Sequence, residues 1–416
     1  MSVEVTRLPA GLRVVTEAVP GAASVALGFY VGTGSRDEPD GLAGASHFLE
    51  HLLFKGTEAR GARALAEAVD AVGGDLNAYT AHEHTAFHIR LPAAELPLGL
   101  DVLSEVTWNP ALRAGDVEAE RAVILEELAM EEDTPDDRVL TLLADALYPG
   151  HPLGREVLGT RASIAAIRRD DVAAFHGRWY RPANVVVAAS GALEHDDVVD
   201  GVRSRLGALT GGEVPGRTAP RRDPRPRAVL RRRAEQAHVA VGVRGLPRED
   251  DDRFALAVAN QVLGGGTASR LFQTVREERG LAYSVHSWVE AHVDTGALVA
   301  YAGTAIDHLG EVLALLEDGL RSLAEGVTAD EVRVAAGYLS GSTVLALEDP
   351  GSRMARNGEA LLATGRVTEV DEVLDGFRSV TPADVSGVVR RLLDAGAPTV
   401  AVLAPGRALR GVRTVA

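Results

Sequence analysis

The sequence has no cysteine. Disulfides and thiolate metal sites are therefore excluded, and cysteine usage says nothing about redox compartment. Aromatic residues are scarce at 4%, so Leu, Val and Ala must supply most of the packing. No apolar run approaches the roughly 18 residues needed to span a membrane. The opening residues, MSVEVTRLPAGLRVV, lack a basic stretch followed by an apolar one. No signal peptide is expected, and the cytoplasm is the expected location. Basic residues are outnumbered, 43 Lys and Arg against 59 Asp and Glu, leaving a net charge of −16. That balance argues against a nucleic-acid-binding surface and mildly favours basic or neutral ligands; neither nucleic acid nor membrane is expected as a partner.

What is present describes an ordinary globular protein, 46% hydrophobic and 25% charged. Its 416 residues exceed what one core usually supports, so two domains are expected. The conspicuous break is TGGEVPGRTAPRRDPRPR, Thr210 to Arg227, dense in Gly, Pro and Arg and without periodicity. It reads as an exposed, solvated linker. The division is then a first domain over 1–212, a linker over 213–226 and a second domain over 227–416.

The two flanking pieces are nearly equal in length, which invites a search for a repeat. RRDDVAAFHGRWYRPANVVVAASG in the first and VTPADVSGVVRRLLDAGAPTVAVLAPG in the second both run helix, turn, apolar strand, glycine. Setting Gly56-Thr57 against Gly266-Thr267 places Ala257 at His47, Asn260 at Glu50 and Gln261 at His51. The chain reads as a duplicated domain in which the first copy alone carries the ionisable set. Strands are expected in GLRVVTEAV and SVALGFYVGTG and near 227–234 and 237–245. Helices are expected near 42–54, 62–73, 94–107, 115–133, 136–148, 252–264, 307–325, 329–347 and 381–394. Runs of strands and runs of helices, without strict alternation, indicate α+β domains.

The segment SHFLEHLLFKGT carries the chemistry. On a helix, His47 and His51 are one turn apart on one face. Two neutral imidazoles so placed can bind one Zn²⁺, and Glu50 lies close enough to poise a carboxylate beside it. The spacing is His-x-x-Glu-His, the inverted form of the commoner metalloprotease helix. Phe48, Leu49, Leu52, Leu53 and Phe54 leave almost no solvent face, and burying three ionisable groups without a partner is costly. A third ligand is needed, and GDVEAERAVILEELAMEED is the best source. At about 100° per residue, Glu120, Glu127 and Glu131 share one face of that helix, flanked by Val117, Val123, Ile124 and Leu128. Helical geometry does not choose among the three glutamates. A rival set, His82, His84 and His88 in NAYTAHEHTAFHIR, lacks a comparably placed base.

GASHFLEHLLFKGT followed by ERAVILEELAMEEDTPDD resembles the insulinase/pitrilysin family of zinc peptidases, and within it the β subunit of mitochondrial processing peptidase and its bacterial relatives. The likeness extends through GDLNAYTAHEHTAFHIRLP and HPLGREVLGTRASI. It implies two homologous domains, each a mainly antiparallel sheet packed with helices, forming a clam-like chamber. It also implies one Zn²⁺ per chain on His47, His51 and Glu127, with Glu50 as general base and Glu120 supporting the site. In RLFQTVREERGLAYSVHSW it implies that Arg276 holds a substrate carbonyl and Tyr283 the oxyanion. It makes the strand bearing Asn77, Ala78 and Tyr79 an edge to which substrate adds as a further strand. The expected activity is endopeptidase cleavage of unfolded peptides or short extended segments, with some preference for basic residues. The expected assembly is a homodimer, ahead of a heterodimer with a homologous subunit. The alternative is a non-catalytic scaffold or binding subunit, as among relatives that lost the motif.

Overall fold

The computed structural model describes residues 3–406. The first sheet is built from β1 (Val3–Arg7), β2 (Arg13–Ala18), β3 (Ser24–Val31), β4 (Asp75–Thr80), β5 (Thr85–Pro92) and β6 (Val185–Gly191), in the order β1-β2-β6-β3-β5-β4. The second comprises β7 (Arg227–Arg231), β8 (Gln236–Gly245), β9 (Ala282–Ala291), β10 (Gly296–Ala305) and β11 (Thr399–Ala404), in the order β7-β11-β8-β10-β9. Without β1, the two orders are one permutation. Among the described residues each sheet has a single parallel pair, β2 with β6 and β7 with β11, and is otherwise antiparallel. The α+β class and the duplication expected from sequence are thus present as topology. Among the described residues no helix is long and apolar enough to cross a membrane.

Six helices carry the site, repeat its frame or cover a sheet: α1 (Ala45–Leu53), α2 (Ala114–Asp133), α3 (Pro135–Leu147), α4 (Arg253–Leu263), α5 (Ala329–Ala346) and α6 (Pro350–Thr364). Helix α4 ends at Leu263 and α1 at Leu53, the same offset of 210 as the glycine-threonine pair. The likeness reaches side chains. Thr80 on the edge strand β4 donates its hydroxyl to Glu50 of α1, and Ser287 on the edge strand β9 donates to Asn260 of α4.

The compact units depart from a cut at residues 212 and 227. One unit takes the chain up to Leu128, Glu156–Arg217 and Val344–Thr368; the other takes Ala129–Arg155, Thr218–Thr343 and the chain from Glu369. Each half therefore gives one proline-initiated helix to the unit of the other. In the second unit Val139, Leu143 and Leu147 of α3 pack on Ala240, Val299, Ala401 and Leu403. In the first unit Met354 and Leu361 of α6 pack on Tyr30, Val186 and Ala188. The reason is that a sheet buried on both faces needs covering on both, and the remaining helices pack on one face alone. Helix α6 is also tied by buried polar contacts: Arg353 pairs with Glu17, Asn357 donates to Glu17 Oε2 at 2.8 Å, and Arg13 donates to the Leu361 carbonyl at 3.0 Å.

The expected linker has no regular structure, yet it is held rather than merely solvated. Arg217 donates to both oxygens of Asp37 at 2.9 and 2.8 Å, and to the carbonyls of Gly32 and Glu83 at 3.1 and 2.6 Å. In the other unit, the Arg225 backbone N–H donates to the Ala146 carbonyl at 2.8 Å.

Candidate metal centre

Helix α1 starts where Gly44 turns the chain with φ +91°, a conformation that glycine adopts without strain. A Cβ there would also meet the Leu158 carbonyl at 2.5 Å. The helix N-terminus is capped from outside by Glu38, whose two oxygens accept the N–H groups of Gly44 and Ser46, each at 2.7 Å. Phe48, Leu49, Leu52 and Leu53 are buried in the first-unit core, which fixes the rotation of α1. His47, Glu50 and His51 remain half-buried on the other side.

Helix α2 supplies the carboxylates. His47 Nε2 lies 3.8 Å and His51 Nε2 3.6 Å from Glu127 Oε2. These three side chains are the one group of metal-capable residues brought together among the described residues. A tetrahedral Zn²⁺ with bonds of about 2.05 Å needs donor separations of about 3.3 Å, so a small contraction suffices. The donor set, two imidazoles and one carboxylate, suits Zn²⁺ and leaves a fourth position open. A second observation fits a metal here: burial, reinforced by His51, pushes His47 down to about 4, so its ring is neutral and able to coordinate. Its Nδ1 is buried and has no hydrogen-bond partner, leaving the ring unanchored except by what Nε2 binds.

Glu120 does not approach as a third ligand. Its Oε2 accepts a hydrogen bond from His51 Nδ1 at 3.0 Å, and its Oε1 receives Lys55 Nζ at 2.7 Å. A carboxylate on Nδ1–H fixes the tautomer and leaves the Nε2 lone pair free. Glu131, the third glutamate of the stripe, lies in the second unit and accepts from Thr141 at 3.4 Å. Val117, Ile124 and Leu128 are buried as expected from the stripe, but Val123 is exposed. Glu50 accepts from the Thr80 hydroxyl, and burial, with Glu127 nearby, raises its carboxyl above the ordinary value against the opposing effects of Thr80 and His51.

The strand carrying Asn77, Ala78 and Tyr79 is β4, at the edge of its sheet. Ala78 packs against the α1 side of the core, and its N–H is taken by Asn77 Oδ1 at 2.8 Å. The side chain of Tyr79 points to the opposite face, where its hydroxyl donates to Glu359 of α6 at 2.6 Å. The rival histidines separate: His82 bonds Ser35, His84 meets Tyr79, and His88 stands in β5. Arg276 and Tyr283 lie in the second unit, engaged with one another. Arg276 leaves a π-helical turn, Phe272–Glu278, stacks its guanidinium 4.4 Å from the Tyr283 ring centre and donates to the Tyr283 carbonyl at 2.9 Å. Tyr283 is nonetheless 78% exposed. Sequence reasoning missed Glu38, Lys55, Thr80 and Arg217. Only Lys55 left a readable signal, being the single lysine in the sequence.

Residues 13–161 match the family described as Insulinase (Peptidase family M16), and residues 166–337 match Peptidase M16 inactive domain. An uncharacterized zinc protease of Mycobacterium tuberculosis is 45% identical over 93% of this chain and 90% of its own length. The chain belongs to the insulinase family, M16. Two further members, the uncharacterized zinc proteases of Streptomyces coelicolor and Bacillus subtilis (YmxG), are 44% and 35% identical, over 96% and 92% of this chain and 89% and 93% of their own. Among solved structures, a protease from Helicobacter pylori aligns with a TM-score of 0.89 at 22% identity, covering 97% of this chain and 99% of that one. A peptidase M16 inactive domain from Pseudomonas fluorescens aligns at 0.90 and 21% identity, covering 97% and 98%. At those identities the structures speak for the fold. The inactive-domain match falls on the half of this M16 chain where Ala257, Asn260 and Gln261 replace the ionisable set.

Proposed function

We propose that this chain is a zinc-dependent endopeptidase for extended peptides, with one Zn²⁺ held by His47, His51 and Glu127. The observation that carries the reading is the convergence of His47 Nε2, His51 Nε2 and Glu127 Oε2, with the raised carboxyl of Glu50 on the same helix. When bound, Zn²⁺ supplies the Lewis acidity that makes water nucleophilic near neutral pH and polarises a peptide carbonyl. Glu50 accepts the proton of the attacking water and returns it to the departing amine; a carboxyl with a raised pKa suits both halves of that transfer. Thr80 orients Glu50 through its hydroxyl, and Glu120 orients His51.

Substrate binding is assigned to the free edge of β4, the strand of Asn77, Ala78 and Tyr79, to which a substrate would add as a further strand once the Ala78 N–H leaves Asn77 Oδ1. Backbone pairing makes little demand on side chains, which suits unfolded peptides. Tyr79 contributes through its main chain, since its ring is committed to Glu359. Arg276 and Tyr283 are assigned to the substrate carbonyl and the oxyanion; an aromatic side chain this exposed, with a guanidinium against it, has no packing role to account for it. Because one polypeptide carries both sets, a homodimer is the proposed assembly, read by light scattering as twice 43.7 kDa.

The test is hydrolysis of an unstructured peptide library. Cleavage should stop with a chelator, return with Zn²⁺, and be absent from His51→Ala, which should also fail to retain metal. Cleavage that survives metal removal would refute the proposal.

A further inference from the structure

Of the 43 Lys and Arg residues in the chain, 42 are arginine. The exception, Lys55, stands against the carboxylate that holds His51. We propose that Lys55 is a positioning residue: by taking one oxygen of Glu120 end-on, it leaves the other for His51 Nδ1–H and so keeps His51 Nε2 ready for a divalent metal.

The backbone fixes where this side chain begins. Lys55 follows the last turn of α1, its N–H bonded to the Leu52 carbonyl at 3.1 Å, where a cation also meets the favourable end of the helix dipole. Gly56 then turns the chain at φ +106°, and a Cβ there would meet the Arg60 carbonyl at 2.6 Å. Arg113 donates to the carbonyls of Lys55 and Thr57 at 3.4 and 2.7 Å. The stem of Lys55 is thus launched from a fixed point towards α2.

An ordinary surface ion pair contributes little, and the Lys55 side chain is 39% exposed. Its partner is different. Glu120 is only 6% exposed, and its two oxygens are divided, Oε1 to Lys55 and Oε2 to His51. A buried carboxylate that lost its cation would be left with a single imidazole as partner, an expensive arrangement.

The choice of lysine follows from geometry. An ammonium is a point charge with three donors on one atom and can sit on a single oxygen. A guanidinium presents a planar fork that tends to engage both carboxylate oxygens. At position 55 such a fork would compete with His51 Nδ1–H for Oε2. In a chain that otherwise uses arginine for every other Lys-or-Arg charge, this is a position where arginine would interfere.

The inference rests on the metal site proposed above, so it is tested by metal binding rather than by turnover. Zn²⁺ affinity of the full chain is measured by chelator competition, and the His51 tautomer by nitrogen NMR of the imidazole. Lys55→Met and Lys55→Arg should each weaken Zn²⁺ binding by about tenfold or more and lose the Nδ1–H form of His51. Reductive dimethylation of Lys55 keeps the charge and one N–H, and should preserve both properties. Acetylation, which forms an amide at Nζ and removes the charge, should abolish them. In Lys55→Met neither reagent should have a further effect. If the substituted chains do not fold, the two reagents applied to the folded wild type still give the contrast. Lys55→Arg with wild-type affinity and tautomer would overturn the proposal, as would equal effects of the two reagents. Zn²⁺ binding that depends on Lys55 in a protein that cleaves no peptide would remove the peptidase reading and support this one. Cleavage in the wild type, with Zn²⁺ affinity indifferent to position 55, would remove this one alone.

Discussion

His47 and His51 stand one turn apart on α1, yet their second nitrogens meet opposite surroundings. His51 Nδ1 is held by Glu120, whereas His47 Nδ1 is buried without a partner. Burial lowers His47 to about 4, against about 6.5 in an unfolded chain. Linkage sets the sign. The unfolded state takes up a proton as pH falls through about 6.5 while the folded state resists until about 4, so metal-free protein loses stability across that window and keeps it above. The urea midpoint of metal-free protein should therefore fall between pH about 6.5 and 4, and less steeply in His47→Gln. Equal slopes would contradict the burial of a neutral His47. The residues on α1 were legible from sequence because His-x-x-Glu-His is a local spacing on one helix. The separation of Glu127 from Glu120 and Glu131 was not legible from helical geometry. All three share a stripe of α2, and only the packing of that helix against α1 puts one near both Nε2 atoms and another on Nδ1. Arg217 was illegible for a related reason: its partners Gly32, Asp37 and Glu83 are distant in sequence.

At the scale of elements, the sequence pattern located most helices and strands closely, including α1 and α4, whose apolar periodicity is strong. It did not reveal α6, nor the exchange of α3 and α6 between units. Periodicity tells that a helix has an apolar face but not which sheet will cover it. The Pro135 and Pro350 starts, each preceded by a residue suited to capping, are the shared local signal. Docking of α6 in the first unit depends on polar contacts as well as on Met354 and Leu361. Arg353 and Glu17 are both largely buried, and removing one partner strands the other. Arg353→Met should cost about 3 kcal/mol or more in urea denaturation, with a smaller loss for Asn357→Ala, whose removal leaves the ion pair in place. Unchanged stability in Arg353→Met would show that apolar packing alone holds α6.

At the scale of the whole molecule, one strand permutation has been used twice and the chemistry placed in one copy. The hydroxyl-to-acceptor link survives in both, Thr80 to Glu50 and Ser287 to Asn260, while the acid and the imidazoles occur in the first alone. This was partly legible as the 210-residue offset, since glycine-threonine turns and helix ends repeat with the fold. The strand order was not, because pairing between distant strands leaves no local trace. The duplicated frame explains why the second copy carries Ala257, Asn260 and Gln261 at the positions of His47, Glu50 and His51. The fold needs the apolar side of the helix in both copies, and the proposed metal centre needs the ionisable side in one. The most direct test of that division is metal content and peptide turnover measured together on Glu50→Gln. One Zn²⁺ per chain is expected, as in the wild type, with turnover reduced by about a thousandfold or more. Wild-type turnover in a zinc-loaded Glu50→Gln protein would contradict it.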